Sequence, residues 1–382
     1  MKRQFIREIL DIITKDTISF AGGLPDADLF PLECFRDAAE RVLHDPSALQ
    51  YSRSQGYGPL REKIAQRYTD AGFETRAEEI LITTGSQQAI NLIAMSMLAG
   101  GVTVELPAYL GALSAFRLAR TKTEGVALES DGIAIAPFER SITNTGAAYL
   151  VPDFQNPTGL RYSRAKRDAV ANAVLRADAL LIEDAAYSEL YFDHASLPIS
   201  AAVPERSFHL GSFSKILAPG LRVGWVRAGE ANLRRLLIVK EAIDLHTSTF
   251  DQRLIDAYWD AEGLDRHIMR IRCHYKEKKD ALSAALRTQL PDFSFEEPRG
   301  GMFIYGRLPG IDTKALVNRC LERGAAFVPG SEFYPDKPAH DEMRLNFTHT
   351  TPEQMRRGIG LIADVNRELL LSEITGLTKA TA

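Results

Sequence analysis

SFHLGSFSKILAPGLRVGWVRA, residues 207–228, reads as an apolar strand, a glycine-bearing turn and a second apolar strand. The turn holds one lysine, Lys215, with Ser212 and Ser214 before it and Arg222 seven residues on. A buried lysine is costly unless an anion pairs with it or it gives up its proton. In most loops of this kind a lone lysine is simply solvated, so the segment takes its meaning from its neighbours.

Those neighbours alternate. Upstream, the apolar runs EILIT (79–83), VTVEL (102–106), AAYLVPDF (147–154) and ALLIED (179–184) alternate with the helical stretches SQQAINLIAMSMLA, LGALSAFRLAR and SRAKRDAVANAVLRA. This order predicts an α/β fold with a mainly parallel sheet between about residues 79 and 230. Ligands in such folds sit beyond the carboxyl ends of the strands. Four strand ends there run into polar or glycine-bearing turns: TTGSQQ, DFQNPTG, EDAAYSE and LGSFSK.

Past residue 230 the composition shifts to helix, with ANLRRLLIVKEAIDL and a long charged helix over DRHIMRIRCHYKEKKDALSAALRTQL. After PDFSFEEPRGG, the strand GMFIYGRL, the helix TKALVNRCLERG, the strand MRLNFTH and a last helix predict a smaller α+β unit. Thr351, Pro352 and Gln354 form a capping-box start for that helix. Met355, Ile359, Ile362, Val365 and Leu369 then recur at helical spacing as core. The expected division is residues 1–50, wrapping onto the small unit; 51–285, the large domain; and 286–382, the small domain.

The chain has 382 residues, 45% hydrophobic and 25% charged, with a net charge of −4. That suits a globular protein able to bury a large core, without the basic excess that nucleic acid or an anionic membrane selects. Cys34, Cys273 and Cys320 are far apart and form no C-x-x-C pair, which argues against a metal site or a disulfide framework and for a reducing cytoplasm. No signal-peptide core and no apolar run of membrane-spanning length occurs.

Chemistry gathers at the strand ends. At TTGSQQAI a strand stops at Gly85 and Ser86 and a helix begins at once, which offers backbone amides and a hydroxyl to a phosphate. Read alone, Ser86 is more simply a helix cap. At ALLIEDAAYSEL an apolar strand delivers Asp184 and then Tyr187; a buried carboxylate needs a cationic partner, although an isolated acidic pair is more often a salt bridge or a cap. Asn156, before Pro157 and Gly159, makes a turn on its own chemistry.

Taken with these, Ser212, Ser214 and Arg222 supply hydroxyls and a cation for a phosphate, and a lysine of depressed pKa condenses with an aldehyde. Phosphate and aldehyde together mean pyridoxal phosphate. Asp184 then pairs with the pyridine nitrogen, Asn156 and Tyr187 hydrogen-bond the phenolic oxygen, and Tyr109 stacks on the ring unless it is an ordinary core aromatic.

The motifs FAGGLPD, YSRSQGYGPLRE, GSQQA, PAY, QNPTG, DAAY, SFSK with Arg222, and MRLNF occur in one order over nearly the whole chain. By them the chain resembles the class I/II pyridoxal-phosphate aminotransferases. The resemblance implies a type I fold, with a large domain built on a mainly parallel, seven-stranded sheet and a smaller α+β domain. It makes Lys215 the Schiff-base lysine, Asp184 the pyridine partner, and Asn156 and Tyr187 the phenolic-oxygen partners. Ser86, Gln87, Ser212, Ser214 and Arg222 become the phosphate cup. Tyr51 matches a tyrosine that reaches the phosphate from the neighbouring subunit, which implies a homodimer with shared active sites. Arg344, otherwise an ordinary surface arginine, matches the one that grips the substrate α-carboxylate, and Gly23 lies where backbone meets that carboxylate.

The implied reaction is ping-pong transfer of an amino group between a 2-amino acid and a 2-oxo acid. FAGGLPDADLFP with GSQQA looks closest to the 2-aminoadipate, kynurenine and branched-chain or aromatic subgroup. No second arginine for a distal carboxylate can be placed, which leaves the substrate side chain open. A lyase, oxidase or cyclase on the same lysine is the alternative chemistry. A ligand-sensing domain behind a DNA-binding head is disfavoured, because the aminotransferase-like core starts within about the first 20 residues.

Overall fold

The computed structural model describes residues 5–336 and 338–380. Its first strand, β1 (Ile18–Ser19), pairs in parallel with Ala325–Ala326 and ties the start of the chain to its last third. The apolar runs then form β2 (Ile80–Thr83), β3 (Val102–Leu106), β4 (Thr123–Glu129), β5 (Gly132–Ile133), β6 (Ala147–Leu150), β7 (Leu180–Asp184), β8 (Ser207–Ser212) and β9 (Gly224–Ala228). They make one sheet in the order β2-β9-β8-β7-β6-β3-β4-β5. Strands β4, β3, β6, β7 and β8 are parallel, whereas β9 is antiparallel to both β8 and β2. Strands β2, β6, β8 and β9 are buried at every position, as a sheet covered on both faces requires.

The helices before the last third of the chain are α1 (Phe5–Ile12), α2 (Leu32–Leu43), α3 (Gly58–Asp70), α4 (Ser86–Met97), α5 (Leu110–Leu118), α6 (Ile135–Thr145), α7 (Arg164–Arg176), α8 (Glu230–Ile243), α9 (Thr249–Glu262) and α10 (Leu264–Gln289); of these, α3, α4, α6 and α8 pack directly on strands of the sheet, whereas the Phe5 ring of α1 lies 5.5 Å from Lys314 Nζ in the last third. Strand β1 lies against the last third of the chain, but α2, in the same opening stretch, packs on α9, with Phe35 edge-on to Tyr258 at 5.3 Å.

The last third carries the antiparallel sheet β10-β11-β14-β13, built from β10 (Ser294–Phe295), β11 (Phe303–Arg307), β13 (Val328–Pro329) and β14 (Glu342–Asn346); β12 (Ala325–Ala326) is the partner of β1. Helices α11 (Thr313–Glu322) and α12 (Pro352–Ala380) complete it. Thr351 and Gln354 exchange the two capping-box hydrogen bonds, Thr351 N to Gln354 Oε1 at 2.9 Å and Gln354 N to Thr351 Oγ1 at 3.2 Å. Met355, Ile359, Ile362 and Val365 are fully buried, and Leu369 packs on the core from its edge.

Two elements lie outside the strand pattern read from the sequence. Strand β4, TEGVALE, is polar, contains a glycine and has only one buried residue, because it lies near the sheet edge. Strand β5 folds back antiparallel onto it and brings the large sheet to eight strands, where the resemblance implies seven. The addition is a two-residue edge ribbon, and the strand ends that carry the turns are unaffected.

Candidate active site

The carboxyl ends of β2, β3, β6, β7 and β8 open on one side of the sheet, and the amino end of β9 returns there. A cavity of about 490 Å³ lies beyond them. Gly23, Ser86, Gln87, Tyr109, Asn156, Asp184, Tyr187, Ser212, Ser214, Lys215, Arg222 and Arg344 all line it. Residues more than 300 positions apart in sequence thus meet in one hollow. Tyr51 does not line it: its side chain is 79% exposed and meets the His246 ring edge-on at 5.9 Å.

One end is a cradle for an anion. Helix α4 begins at Ser86, and its N-cap is Gly85, at φ 73°. That positive φ favours glycine, and a Cβ there would come within 2.7 Å of the Arg222 guanidinium. Ser86 therefore does not cap the helix; its hydroxyl makes no hydrogen bond among the described residues and stands beside the open backbone amides of the first turn. Arg222, itself at φ 53°, donates to the Thr84 carbonyl at 3.3 Å and pairs with no carboxylate among the described residues. Ser212 Oγ accepts from the Ser214 amide at 3.1 Å, which closes the turn and brings both hydroxyls to the same end. Gln87 faces inward instead, donating to the Gly111 carbonyl at 3.0 Å.

The floor is a carboxylate with no cation paired to it among the described residues. Asp184 is 3% exposed; it accepts from the Tyr149 hydroxyl at 2.6 Å and from the Ala186 amide at 3.2 Å. Burial raises its pKa, against the pull of those hydrogen bonds and of Lys215. A cation that enters above it recovers the desolvation cost. Beside it, Asn156 Nδ2 donates to the Tyr187 hydroxyl at 3.0 Å, which leaves the phenol proton free to point into the cavity.

Lys215 Nζ donates to the Gly23 carbonyl at 2.7 Å and has no carboxylate partner among the described residues. Burial, then the cations Arg344 and Arg222, lower its pKa to about 8, while Asp184 opposes them. Arg344, 2% exposed, projects from β14, donates to Asn156 Oδ1 at 2.7 Å and the Ala21 carbonyl at 2.5 Å, and leaves Nε without a partner among the described residues. Burial brings its pKa down to about 10, so it stays charged at neutral pH. Here too no carboxylate pairs with it among the described residues.

Sequence reasoning missed the supports. Tyr149, the one polar tip in β6, holds Asp184, while Phe303 and Phe333 flank the Arg344 guanidinium with centroids at 4.2 and 5.2 Å. The tyrosine in an otherwise aliphatic strand is a readable signal; the two phenylalanines are ordinary core residues until the fold is known. In two other hollows, of about 800 and 550 Å³, the lining cations have partners: Arg161 of the first pairs with Asp193, and Arg67 and Arg272 of the second pair with Glu189. Only around Lys215 do unpaired charges of both signs face one space among the hollows described.

This donor set fits pyridoxal phosphate: a phosphate takes the cations and hydroxyls of the cradle, and a protonated ring nitrogen takes Asp184. When bound, that cofactor supplies an aldehyde for an amine to condense with and a ring that accepts an electron pair.

The comparisons agree. The family described as aminotransferase class I and II matches residues 15–362. The aromatic-amino-acid aminotransferase 1 of Thermococcus litoralis is 36% identical, over 96% of this chain and 92% of its own. The α-aminoadipate aminotransferase of Thermus thermophilus, solved with N-(5'-phosphopyridoxyl)-L-leucine, superposes with a TM-score of 0.90 at 36% identity, over 97% and 96% of the two chains. The kynurenine aminotransferase of Pyrococcus horikoshii does so with a TM-score of 0.91 at 35% identity, over the same shares. The chain belongs to the class I and II aminotransferases, and it is a pyridoxal-phosphate-dependent enzyme of amino-group transfer.

Proposed function

We propose that the enzyme moves an amino group from a 2-amino acid to a 2-oxo acid in a ping-pong cycle, with broad tolerance for longer amino-acid side chains. The observation that carries this reading is the unpaired charge set around Lys215: one carboxylate floor, one anion cradle, and a second buried cation, Arg344, at the far side. In this scheme Arg344 and Asn156 grip the substrate α-carboxylate through the guanidinium fork, which sets the Cα–H bond for removal. Lys215 Nζ, its pKa lowered to about 8, would act as base for the proton that leaves Cα of the donor and then as acid that delivers it away from Cα, with the reverse order placing a proton on Cα of the new amino acid in the second half of the cycle. Asp184 stays ionised beneath a cation, and Tyr187 and Asn156 orient a phenolic oxygen. Ser86, the first-turn backbone amide of Gln87, Ser212, Ser214 and Arg222 would hold the phosphate end, so the lysine can be displaced while the cofactor is retained. The relatives act on aromatic amino acids, 2-aminoadipate and kynurenine, which supports a donor of that size.

A homodimer with shared active sites completes the proposal. Tyr51 is exposed, as are Leu49, Ile243 and Leu245 on either side of the Tyr51–His246 contact, an apolar patch suited to a second copy. The chain divides, in this reading, into residues 1–50, 51–285 and 286–382. Three free cysteines, and no helix among the described residues long and apolar enough to cross a membrane, support a cytoplasmic site of action.

The test is a panel of 2-amino acids with 2-oxoglutarate, scored by glutamate formed, beside a half-reaction scored by the loss of bound-cofactor absorbance with no acceptor present. Glutamate from at least one donor is expected. A holoenzyme that consumes amino acids yet never makes glutamate overturns the reading in favour of a lyase, oxidase or cyclase.

A further inference from the structure

The cavity wall opposite the sheet is a strap of irregular backbone, Gly22 to Pro25, whose Gly23 carbonyl accepts from Lys215 Nζ at 2.7 Å. Such a strap has no ladder of its own beyond β1, so something else must fix it. The fixing point is Asp26, the next residue, which is 7% exposed. Its Oδ2 accepts from Lys278 Nζ at 2.5 Å and from His274 Nε2 at 2.9 Å, and its backbone amide donates to the Tyr275 hydroxyl at 3.1 Å. His274, Tyr275 and Lys278 stand at i, i+1 and i+4 on α10, so one helix face grips the strap.

Lys278 Nζ also donates to the Thr348 carbonyl at 3.0 Å, and Thr348 Oγ1 donates to the Leu24 carbonyl at 2.6 Å. The turn after β14, the strand that carries Arg344, is thereby tied to the same point. The hydrogen bonds from Lys278 and His274 outweigh the effect of burial and hold the Asp26 carboxyl below its ordinary range, so the clamp is ionic at neutral pH. Neither Asp26 nor Lys278 lines the cavity.

We infer that Asp26, Lys278 and His274 are positioning residues that set the substrate-side wall: they hold Leu24 and Pro25 against the amino-acid side chain and so bias the enzyme toward longer substrates. Leu24 and Pro25 are the strap residues with apolar side chains on that cavity, and a wall that loosens loses contact with a long side chain while a short one never reached it. The inference rests on the proposed amino-acid site.

The experiment compares holoenzyme, the double variant D26N/K278M, in which no charge is left buried alone, and the milder H274A, which keeps the Asp26–Lys278 pair. Each is assayed with the longest and the shortest amino acid that the parent accepts, together with cofactor affinity by titration. In the double variant the ratio of kcat/KM, long to short, is expected to fall at least about fivefold, through KM, with cofactor affinity unchanged. H274A should move the ratio the same way by less. A ratio that stays at the parent value in both variants overturns the clamp, and so does a fall in cofactor affinity that tracks equal losses for both substrates, since that marks a general structural role. Should the double variant not fold, H274A alone decides by the same ratio. A parent that transaminates no amino acid sinks the proposed function instead, so the two failures are distinguishable.

Discussion

Two lysines, Lys215 and Lys240, are both held inside this protein, and their surroundings are opposite. Lys240 on α8 is 0% exposed, and its Nζ donates to Asp244 Oδ1 at 2.8 Å, Gln88 Oε1 at 3.1 Å and Thr247 Oγ1 at 3.2 Å. Asp244 in turn accepts from Gln88 at 2.6 Å and Thr84 at 3.2 Å, and these bonds with Lys240 hold its pKa down against the effect of burial. Lys215 has a single carbonyl, and the aspartate nearest it in role, Asp184, has a pKa raised by burial. A structural charge pair is satisfied within the chain; the Lys215 cavity keeps its opposite charges apart and unpaired, which costs stability until a ligand of complementary charge fills it.

The largest effect that this contrast predicts is at Lys215. Lys215→Ala should abolish turnover, by at least about 1,000-fold, and remove the absorbance that marks covalent attachment of the cofactor. The apoprotein should melt no lower than the parent, because an unpaired amine with a depressed pKa leaves with the side chain. Residual transamination above background would break the assignment. Next is Arg344→Met, which removes the unpaired cation at the substrate side: kcat/KM for 2-amino acids should drop about 100- to 1,000-fold. Cofactor affinity should hold, since Arg344 stands apart from the phosphate cradle. An equal loss for an amine that lacks a carboxylate would show that the arginine does something other than grip that group.

Lys240→Met is the counterpart on the satisfied side. It strands Asp244, whose side chain is about a quarter exposed, so a loss toward the lower end for a broken buried pair is expected, about 2 to 3 kcal/mol in denaturant unfolding. Turnover per folded, cofactor-loaded molecule should change little. A collapse of kcat without loss of stability would erase the distinction between the two lysines.

The same contrast explains what could be read in advance. That Lys215, Asp184, Ser86 and Arg222 meet at one cavity was legible only from the set, since each alone has an ordinary structural reading while a carboxylate, hydroxyls and cations at neighbouring strand ends together fit one cofactor, and Asn156 and Arg344 followed once motif order was added. Strand β4 was not legible, since an edge strand needs no apolar run, and neither were Phe303 and Phe333, whose role depends on where β14 places Arg344. The hydroxyl of Ser86 was ambiguous on sequence, as a cap or an anion ligand; the backbone at Gly85, turned to φ 73° beneath Arg222, decides where the helix starts and leaves that hydroxyl uncommitted. Asp26 was invisible, because its partners lie about 250 residues away on α10.

The finest effect is on pH dependence. A free lysine titrates at 10.5, and burial with the two nearby arginines lowers Lys215 to about 8. Only the neutral amine attacks an aldehyde, and at pH 7 the shift gives about 300-fold more of it than an ordinary lysine would offer. Apoprotein mixed with pyridoxal phosphate between pH 7 and 10, where the phosphate no longer titrates, should therefore capture the cofactor faster as pH rises, with a midpoint near 8 and a plateau above it. Arg344→Met takes away a cation that disfavours the ammonium, so its midpoint should move up and capture at pH 7 should slow. Asp184→Asn takes away the opposing anion and should move it down. The depressed pKa also means that the unfolded chain holds more protons than the apoprotein from about pH 8 to 10.5, so the contribution of Lys215 to apoprotein stability should become less unfavourable across that window. A capture midpoint still above 10, or shifts of the same sign in the two variants, would mean that Lys215 is solvated and paired like any surface lysine, and the contrast with Lys240 would fail at its root.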